Sequence, residues 1–326
     1  MMEGNRLHIH IGVAVILAAI SATLARAQTD ESLVAQPWQK GQTFESSSDV
    51  RLIQGAWSST GEGNVGMAEV ESTGRYRFTT DHPIGPAVGY QYNLVWPHGD
   101  RFPVNRALTD VSFAAGSPLG QIGQHSFWGA LVGAGYAGED TFANGNGTYA
   151  KASLITGGQL DQNSGWLLFI HYDGNGLIYP DVPDPGFVFN SKLGDNFEYV
   201  LGSGIVGATW KPLPGLRLDA YYQYPMPLNV NVQYALDQQW TLFGAYTIRQ
   251  LAFHSEALPG NQRLIYAEER AEGGLRWQVA KAVHLSLAGG YAFGRQFRRG
   301  FDYRNEVPIA GLSDEPYIRF GVTLLF

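Results

Sequence analysis

Apolar and polar side chains alternate along most of the chain, and the alternation is clearest at its end. In the closing stretch, YIRFGVTLLF, every second residue from Ile318 to Phe326 is apolar. Successive side chains of a β-strand point to opposite faces, so these residues share one face. The same period of two recurs from about residue 50 onward in segments of roughly ten residues, with no competing helical period. The pattern predicts an all-β protein.

We predict about fourteen strands, within a range of about 12–16. Their predicted spans are 50–58, 67–80, 86–97, 107–117, 124–137, 148–159, 164–174, 197–211, 214–225, 228–236, 238–251, 263–278, 282–294 and 316–326. The two faces of these segments differ in chemistry. Leu218 and Val232 lie on apolar faces, for example, while their neighbours Arg217 and Asn231 lie on polar ones.

The polar faces carry a set of charged residues whose signs nearly balance. The set comprises Glu69, Glu71, Arg75, Arg77, Arg217, Asp219, Arg249, Glu268, Arg270, Glu272, Arg276 and Arg319. Opposite charges on neighbouring strands would stabilise their pairing, whereas an unpaired charge would need water. Two interpretations stay open: a polar core that closes the interior, or a narrow aqueous path for small polar solutes. No strong ring of one sign predicts ion selectivity.

The connections between the predicted strands alternate in length, which distinguishes a membrane barrel from a soluble β-sandwich. Residues 174–190 and 295–316 form long connections, whereas 160–163, 212–215 and 280–282 form short ones. Transmembrane barrels have short turns on one side and longer loops on the other. Their last strand pairs with the first, so that no strand edge faces hydrocarbon. The sequence therefore predicts a closed antiparallel up-and-down transmembrane β-barrel.

Composition narrows the possible functions. The 326 residues include no Cys, which excludes disulfides, thiolate metal sites and a lipid-modified N-terminal Cys. A net charge of -7 argues against nucleic-acid binding, which requires a basic surface. We expect neither a cofactor nor a metal.

The N-terminus has the pattern of an export signal. Arg6 precedes a short apolar core, and ATLARA supplies the small residues for cleavage between Ala27 and Gln28. The apolar run is shorter than the roughly 20 residues that span a bilayer as a helix. We predict a signal peptide over 1–27, a periplasmic polar tail over 28–47 and a transmembrane barrel over 48–326. The expected location is the outer membrane of a Gram-negative-type bacterium.

The C-terminal part resembles an uncharacterised family of outer-membrane β-barrels, known only as a domain of unknown function. The resemblance is carried by YAEERAEGGLRWQVAKAVHLSLAGGYAFGRQF and LSDEPYIRFGVTLLF, and WKPLPGLRLDAYYQYPMPLNVNVQYALDQQWTLFGAY is similar to the family's middle. It is strongest over about residues 205–326 and implies barrel architecture without a chemistry. The end at Phe326 also resembles the C-terminal strand that such barrels present to the barrel-assembly machinery.

The strongest chemical candidate lies where the predicted strand 164–174 enters a long loop. His171 and Asp173 share its polar face, and a His beside a carboxylate can act as an oriented general base. The stretch resembles the His-containing strand of outer-membrane lipid A deacylases, in which His and Ser precede Asn. Here Asp173 and Gly174 occupy the region of the nucleophile, and the next Ser along the chain is Ser191. Without a nucleophile, acyl transfer fails, so we predict no enzyme.

Two loops are candidates for other ligands. Asp181, Asp184 and Asn190 offer the oxygen ligands that Ca²⁺ prefers, but their spacing matches no recognised calcium loop. A second loop interleaves arginines with aromatic residues, and its guanidinium groups could bind lipopolysaccharide phosphates or fold into the lumen as a plug. The arginines of this loop are Arg295, Arg298, Arg299 and Arg304.

These observations lead to three function hypotheses. The first is a monomeric outer-membrane barrel that acts as a passive or gated conduit for small solutes. The second is a closed structural or surface-interaction barrel of the envelope, held together by its charges. The third, a lipid-modifying enzyme that uses His171, is the least favoured. Expected partners are outer-membrane lipid, lipopolysaccharide and the barrel-assembly machinery, without nucleic acid.

Overall fold

The computed structural model describes residue 38 and residues 41–58, 64–79, 85–99, 102–123, 125–143, 145–225 and 227–326. The predicted signal peptide, 1–27, and residues 28–37 of the predicted tail lie outside the described residues. Within the described part of the chain, no helix is long and apolar enough to cross a membrane. Strands account for nearly all of the regular structure.

The strands alternate up and down along the chain, except that the last two both run antiparallel to the strand before them. They are β1 (Phe44–Trp57), β2 (Asn64–Arg77), β3 (Ala87–His98), β4 (Leu108–Ile122), β5 (Ser126–Glu139), β6 (Thr148–Gln159), β7 (Ser164–Asp173), β8 (Asp184–Leu193), β9 (Phe197–Gly202), β10 (Ile205–Leu213), β11 (Leu216–Gln223), β12 (Leu228–Ala235), β13 (Trp240–His254), β14 (Arg263–Ala280), β15 (Val283–Gly300), β16 (Val307–Gly311) and β17 (Glu315–Leu325). We call the end where β1 begins and β17 finishes the lower end, and the opposite end the upper end.

Consecutive strands pair antiparallel from β1 to β16, and β17 pairs with β15 and β1 to close the ring. β17 pairs with β1 over nine residue pairs, from Glu45–Leu325 to Ile53–Tyr317. β16 pairs only with the upper end of β15, so the barrel wall has sixteen strands. The prediction of an all-β, closed antiparallel barrel is confirmed. Closure leaves no unpaired strand edge at the β1–β17 junction.

The predicted count of about fourteen strands was too low, although sixteen lies within the predicted range. Strand β8 begins at Asp184, inside the segment 174–190 that the sequence predicted as a loop because Pro183 and Pro185 disfavour a strand. The single strand predicted over 197–211 is two strands, β9 and β10, joined at Ser203–Gly204. Gly204 has a φ of +67°, which permits this tight hairpin.

The first strand also begins earlier than predicted. β1 starts at Phe44, inside the predicted tail. The sequence did not reveal this start because Ser46 and Ser48 occupy the outward face, where the alternation would show apolar residues. Their hydroxyls are paired, since Ser46 Oγ lies 2.8 Å from Tyr90 Oη and Ser48 Oγ lies 2.7 Å from Ser72 Oγ. Hydroxyl pairs of this kind satisfy the polar side chains on the outward face of the strand.

The ring is pinched at its upper end. His254 of β13 pairs in parallel with Gly138 of β5, although these two strands stand halfway around the ring from each other. Ser255 donates a hydrogen bond to Glu139 beside this bridge. The contact divides the upper lumen into two parts, bounded by β13–β17 with β1–β5 on one side and by β5–β13 on the other.

The upper part of β14 lies inside the first of these parts. Seven of the eight residues from Arg263 to Arg270 are buried, so both faces of this segment are covered. Leu264 and Tyr266 of this segment pack with residues of β1–β4, β13 and β15–β17, and of the connections between them, in one apolar core. The core comprises Ile53, Ala56, Val65, Met67, Val95, Phe102, Val104, Leu108, Phe253, Leu264, Tyr266, Ala292, Phe297, Ala310, Leu312 and Tyr317.

Candidate lumenal site

An ion cluster crosses the interior from β13 to β2. Arg249 extends from β13, and its Nη2 lies 2.7 Å from Glu69 Oε2 on β2. The same guanidinium also pairs with Glu71 on β2 and with Glu268 on β14. Glu69 and Glu268 are fully buried. One arginine therefore ties together strands that are not neighbours in the ring.

Two further arginines complete this cluster. Arg270 Nη1 lies 3.3 Å from Glu71 Oε1 and 3.5 Å from Glu69 Oε2. Arg51 Nη1 lies 3.0 Å from the same Glu71 oxygen. Three arginines thus face three glutamates, which is the condition under which buried charges persist. We call the side of the lumen that they fill, toward β14–β17 and β1–β4, the ionic lobe.

A second group of ion pairs continues the ionic lobe toward the lower end. Arg319 of β17 holds Glu272 of β14 with two nitrogens, at 3.0 Å for Nε–Oε2 and 2.8 Å for Nη2–Oε1. It also pairs with Asp49 of β1. Tyr317 donates to Glu272 at 2.9 Å. Bidentate pairing fixes the arginine plane and links three strands.

The structure brings together Glu69, Glu71, Arg249, Glu268 and Arg270 of the predicted charge set. The prediction missed two partners of this set, Arg51, which pairs with Glu71, and Asp49, which pairs with Arg319. The signal for Arg51 was present, because it alternates with the apolar Val50 and Leu52. Its role depends on the β1–β2 register, which places it opposite Glu69.

Other members of the predicted set lie elsewhere. Arg75 and Arg77 are at the lower end, where Arg75 pairs with Glu45 at 2.9 Å. The Trp38 ring lies 4.1 Å from the Arg75 guanidinium carbon, so part of the predicted tail packs inside the barrel. Arg276 lies over the Phe243 ring at 5.6 Å.

The remaining part of the lumen, toward β6–β12, has a different wall, and we call it the amide lobe. Uncharged polar side chains of β12 and β13 face it and are partly exposed. They are Asn229, Asn231, Gln233, Thr241 and Thr247. The outward residues between them include Val232 and Leu242, which are exposed on the outer surface. Partial exposure of inward amides means that this wall borders open space.

The charges of the amide lobe occur as pairs of opposite sign. Lys151 Nζ lies 3.2 Å from Asp173 Oδ2, and Arg217 Nη2 lies 2.9 Å from Asp219 Oδ1. Lys192 lies 3.5 Å from Glu198. The predicted pair Arg217 and Asp219 therefore belongs to this lobe and is not part of the ion cluster.

Opposite the amides, an apolar belt lines the wall from β4 to β11. It comprises Ala114, Leu131, Ile155, Leu167, Val188, Val200, Ile205 and Tyr221, with Phe127 and Phe169 packed against it. Glycines allow these side chains to lie flat on the wall. A Cβ on Gly157 would lie only 2.8 Å from Leu167 Cδ1, and one on Gly207 only 2.8 Å from Tyr221 Cδ2. The lobe is therefore amphipathic, with one amide wall and one apolar wall.

His171 has a partner that the sequence did not reveal. Its Nδ1 lies 2.9 Å from Ser153 Oγ, because β6 and β7 pair with Ser153 opposite His171. Spacing along the chain, in which the next Ser after Asp173 is Ser191, could not reveal this partner, because the partner depends on the strand register. Asp173 pairs with Lys151, two register positions along the same two strands. Ser153 is only 3% exposed, so the pair is enclosed within the wall.

The loop 174–183 extends from β7 across the upper mouth to β13 and β14. Asn175 Nδ2 donates to the Ala252 carbonyl at 3.1 Å. Arg263 donates from Nη1 to both oxygens of Asn175, at 3.1 Å each, and from Nη2 to the Gly176 carbonyl at 2.9 Å. We call these contacts the Arg263 clamp. It holds the loop over the amide lobe.

The predicted oxygen ligands are not gathered by this loop. Asn190 lies on β8 with its side chain on the inward face, away from Asp181 in the loop. Among the described residues, no group of three or more His, Asp or Glu side chains could hold a metal ion.

The prediction of a loop over 295–316 was wrong for most of its arginines, because β15 extends to Gly300 and carries Arg295, Arg298 and Arg299. Most of the four arginines are engaged within the protein. Arg295 is 1% exposed and donates to the Ser313 carbonyl. Arg298 pairs with Glu306. Arg304 lies 4.0 Å over the Tyr179 ring of loop 174–183 and donates to Asp302. Burial acts to raise the pKa of Asp302, but the hydrogen bonds from Arg304 outweigh it and leave that pKa below its ordinary value. Arg299 is exposed.

Comparison with known proteins gives matches at the level of structure alone. No family model matches the chain, and no curated protein matches it. Similar solved structures include the TodX monoaromatic hydrocarbon channel as a deltaS2 mutant, with 11% identity, a TM-score of 0.44 and coverage of 93% of this chain and 94% of that one. A bacterial polysaccharide outer membrane secretin matches with 8% identity, a TM-score of 0.43 and coverage of 87% and 98%. A mutant porin of Rh. blastica matches with 13% identity, a TM-score of 0.36 and coverage of 87% and 100%. At this level of similarity the functions of those proteins do not carry over to this chain.

Proposed function

We propose that the protein is an outer-membrane conduit for small polar solutes, and that the solute path runs through the amide lobe. The observation that carries the proposal is the difference between the two lobes. The ionic lobe is filled by buried ion pairs and an apolar core. The amide lobe has partly exposed Asn and Gln side chains on its inner wall. Water-accessible polar groups inside a barrel of this width are typical of an aqueous path.

The outer surface supports placement in a membrane. Large apolar side chains cover it on nearly every strand of the wall. They include Val50, Leu52, Phe113, Val132, Leu154, Leu168, Ile170, Leu201, Val206, Trp210, Val232, Leu242, Leu285, Leu287, Ile318, Phe320 and Val322. Such exposure is costly in water and favourable in lipid. The expected signal peptide and the aromatic end at Phe326 fit the outer membrane and the barrel-assembly machinery.

The upper mouth indicates a gated path. The Arg263 clamp holds loop 174–183 across the amide lobe, and the β5–β13 contact narrows the lumen at the same end. We place this end outside the cell, because longer loops are external in outer-membrane barrels. Release of the loop would widen the mouth without unfolding the barrel wall.

The proposal assigns no catalytic role to His171. The carboxylate two residues further along the chain, Asp173, pairs with Lys151. The Ser153–His171 hydrogen bond satisfies two polar groups inside the wall, as buried polar groups require.

The direct experiment is ion conductance of the purified protein in planar bilayers. We expect discrete channels with frequent closures, because the clamp is formed in the resting structure. Absence of conductance at every voltage would contradict the proposal and favour the second candidate, a closed structural barrel. The filled ionic lobe is the observation that favours that candidate.

Replacing Arg263 by alanine is expected to increase the open fraction several-fold, because the substitution removes the clamp's donors to Asn175 and Gly176. Arg299→Ala is the matched control, since Arg299 lies opposite Leu264 on the adjacent strand and is exposed. Equal open fractions in the two variants would show that the clamp does not gate the channel.

A further inference from the structure

We infer that the amide lobe binds uncharged solutes that carry several hydroxyl or amide groups and one apolar face, such as pyranose sugars. The inference rests on the proposed conduit function and adds a solute class to it. Three features of the lobe support it: paired charges, facing amide and apolar walls, and one buried carboxamide without a protein partner.

The charges of the lobe give little preference to ions. Each of Lys151, Lys192 and Arg217 has a carboxylate within 3.5 Å. Ion selectivity in channels comes from rings of one sign. Pairs of alternating sign leave only a weak net field across the path, so a charged solute loses hydration without gaining a counter-charge.

The two walls match the two faces of a sugar-like solute. Asn229, Asn231 and Gln233 each present a donor and an acceptor on the β12 wall. On the other wall, Phe127 and Phe169 are half-buried against the apolar belt. A ring compound can place its C–H face on such apolar and aromatic groups while its hydroxyls reach the amides.

Asn190 supplies an independent sign of a ligand. It is 2% exposed on the inward face of β8, between Gly165 and Val200 in register. Neither its Oδ1 nor its Nδ2 has a hydrogen-bond partner within the described protein. Leaving a buried polar group without a hydrogen-bond partner is unfavourable. A hydroxyl can donate to Oδ1 and accept from Nδ2, so a polyhydroxylated solute would remove this cost.

Solute class is tested by swelling of liposomes that contain the protein. The probes are glucose, anionic gluconate and cationic glucosamine, which are similar in size. We expect glucose to enter several-fold faster than either ion, and the reversal potential in a potassium chloride gradient to lie near zero. Equal entry of all three, or preference for one ion, would overturn the solute class and leave the conduit intact. Absence of entry by any probe, together with absence of conductance, would remove the conduit itself.

The role of Asn190 is tested by the glucose concentration that halves the ion current. Asn190→Leu is expected to raise this half-blocking glucose concentration about tenfold, because it removes buried hydrogen bonds between the carboxamide and the solute. Asn163→Leu, in the exposed turn after β6, is the matched control and should leave it unchanged. Asn231→Leu on the partly exposed β12 wall should raise it as well, and it tests the site if Asn190→Leu does not fold. Half-blocking concentrations that stay the same in both lobe variants would overturn the inference.

Discussion

Replacing Arg249 by leucine is expected to lower the free energy of unfolding by about 3–5 kcal/mol. The substitution leaves Glu69, Glu71 and Glu268 facing one another with only Arg51 and Arg270 to balance them. Uncompensated buried carboxylates are costly, and the lost guanidinium also removes the link between β13 and β2. The measurement is urea-induced unfolding in detergent, followed by tryptophan fluorescence and by the heat-modifiable mobility of unboiled samples on gels.

Two variants separate charge balance from loss of bulk. Arg217→Leu breaks a single pair whose arginine side chain is 33% exposed, so we expect a loss of less than about 1 kcal/mol. Arg249→Leu combined with Glu69→Gln removes one charge of each sign and should recover part of the stability. A loss for Arg249→Leu that is no larger than that for Arg217→Leu would contradict the cluster's role.

The alternation of side chains predicted the inward and outward faces well. Leu218, Val232 and Phe320 point outward, as their positions in the alternation required. That information is local, because the period of two depends only on the strand conformation. It also identified Glu69, Glu71, Arg249 and Glu268 as inward residues without any knowledge of strand pairing.

Features that depend on contacts between distant strands were not predictable in the same way. The pairing of Ser153 with His171 requires the β6–β7 register. The contact of His254 with Gly138 joins strands more than a hundred residues apart, and no local pattern marks either residue. The strand count was too low for a different reason, since the proline-rich start of β8 and the short β9–β10 hairpin break the expected strand length.

A cysteine at position 231 is expected to make the proposed conductance sensitive to thiol reagents. Asn231 is on the partly exposed wall of the amide lobe, and the chain contains no native Cys to give a background. Attachment of a methanethiosulfonate adduct would place bulk directly in the proposed path. We expect the single-channel current of Asn231→Cys to fall by roughly half or more, because the adduct would narrow the polar lumen that carries the current.

The matched control is Ala288→Cys in the ionic lobe. Ala288 is 2% exposed and lies opposite Arg319 on the neighbouring strand. Its thiol should react only after the protein is unfolded. Reaction of the unfolded protein also verifies that the cysteine is present.

The most direct test of the divided lumen is therefore the current through these two cysteine variants before and after the same reagent. Our account predicts that Asn231→Cys is blocked and that Ala288→Cys is unaffected. Block of Ala288→Cys with an unchanged current through Asn231→Cys would place the solute path on the other side of the barrel and contradict the account.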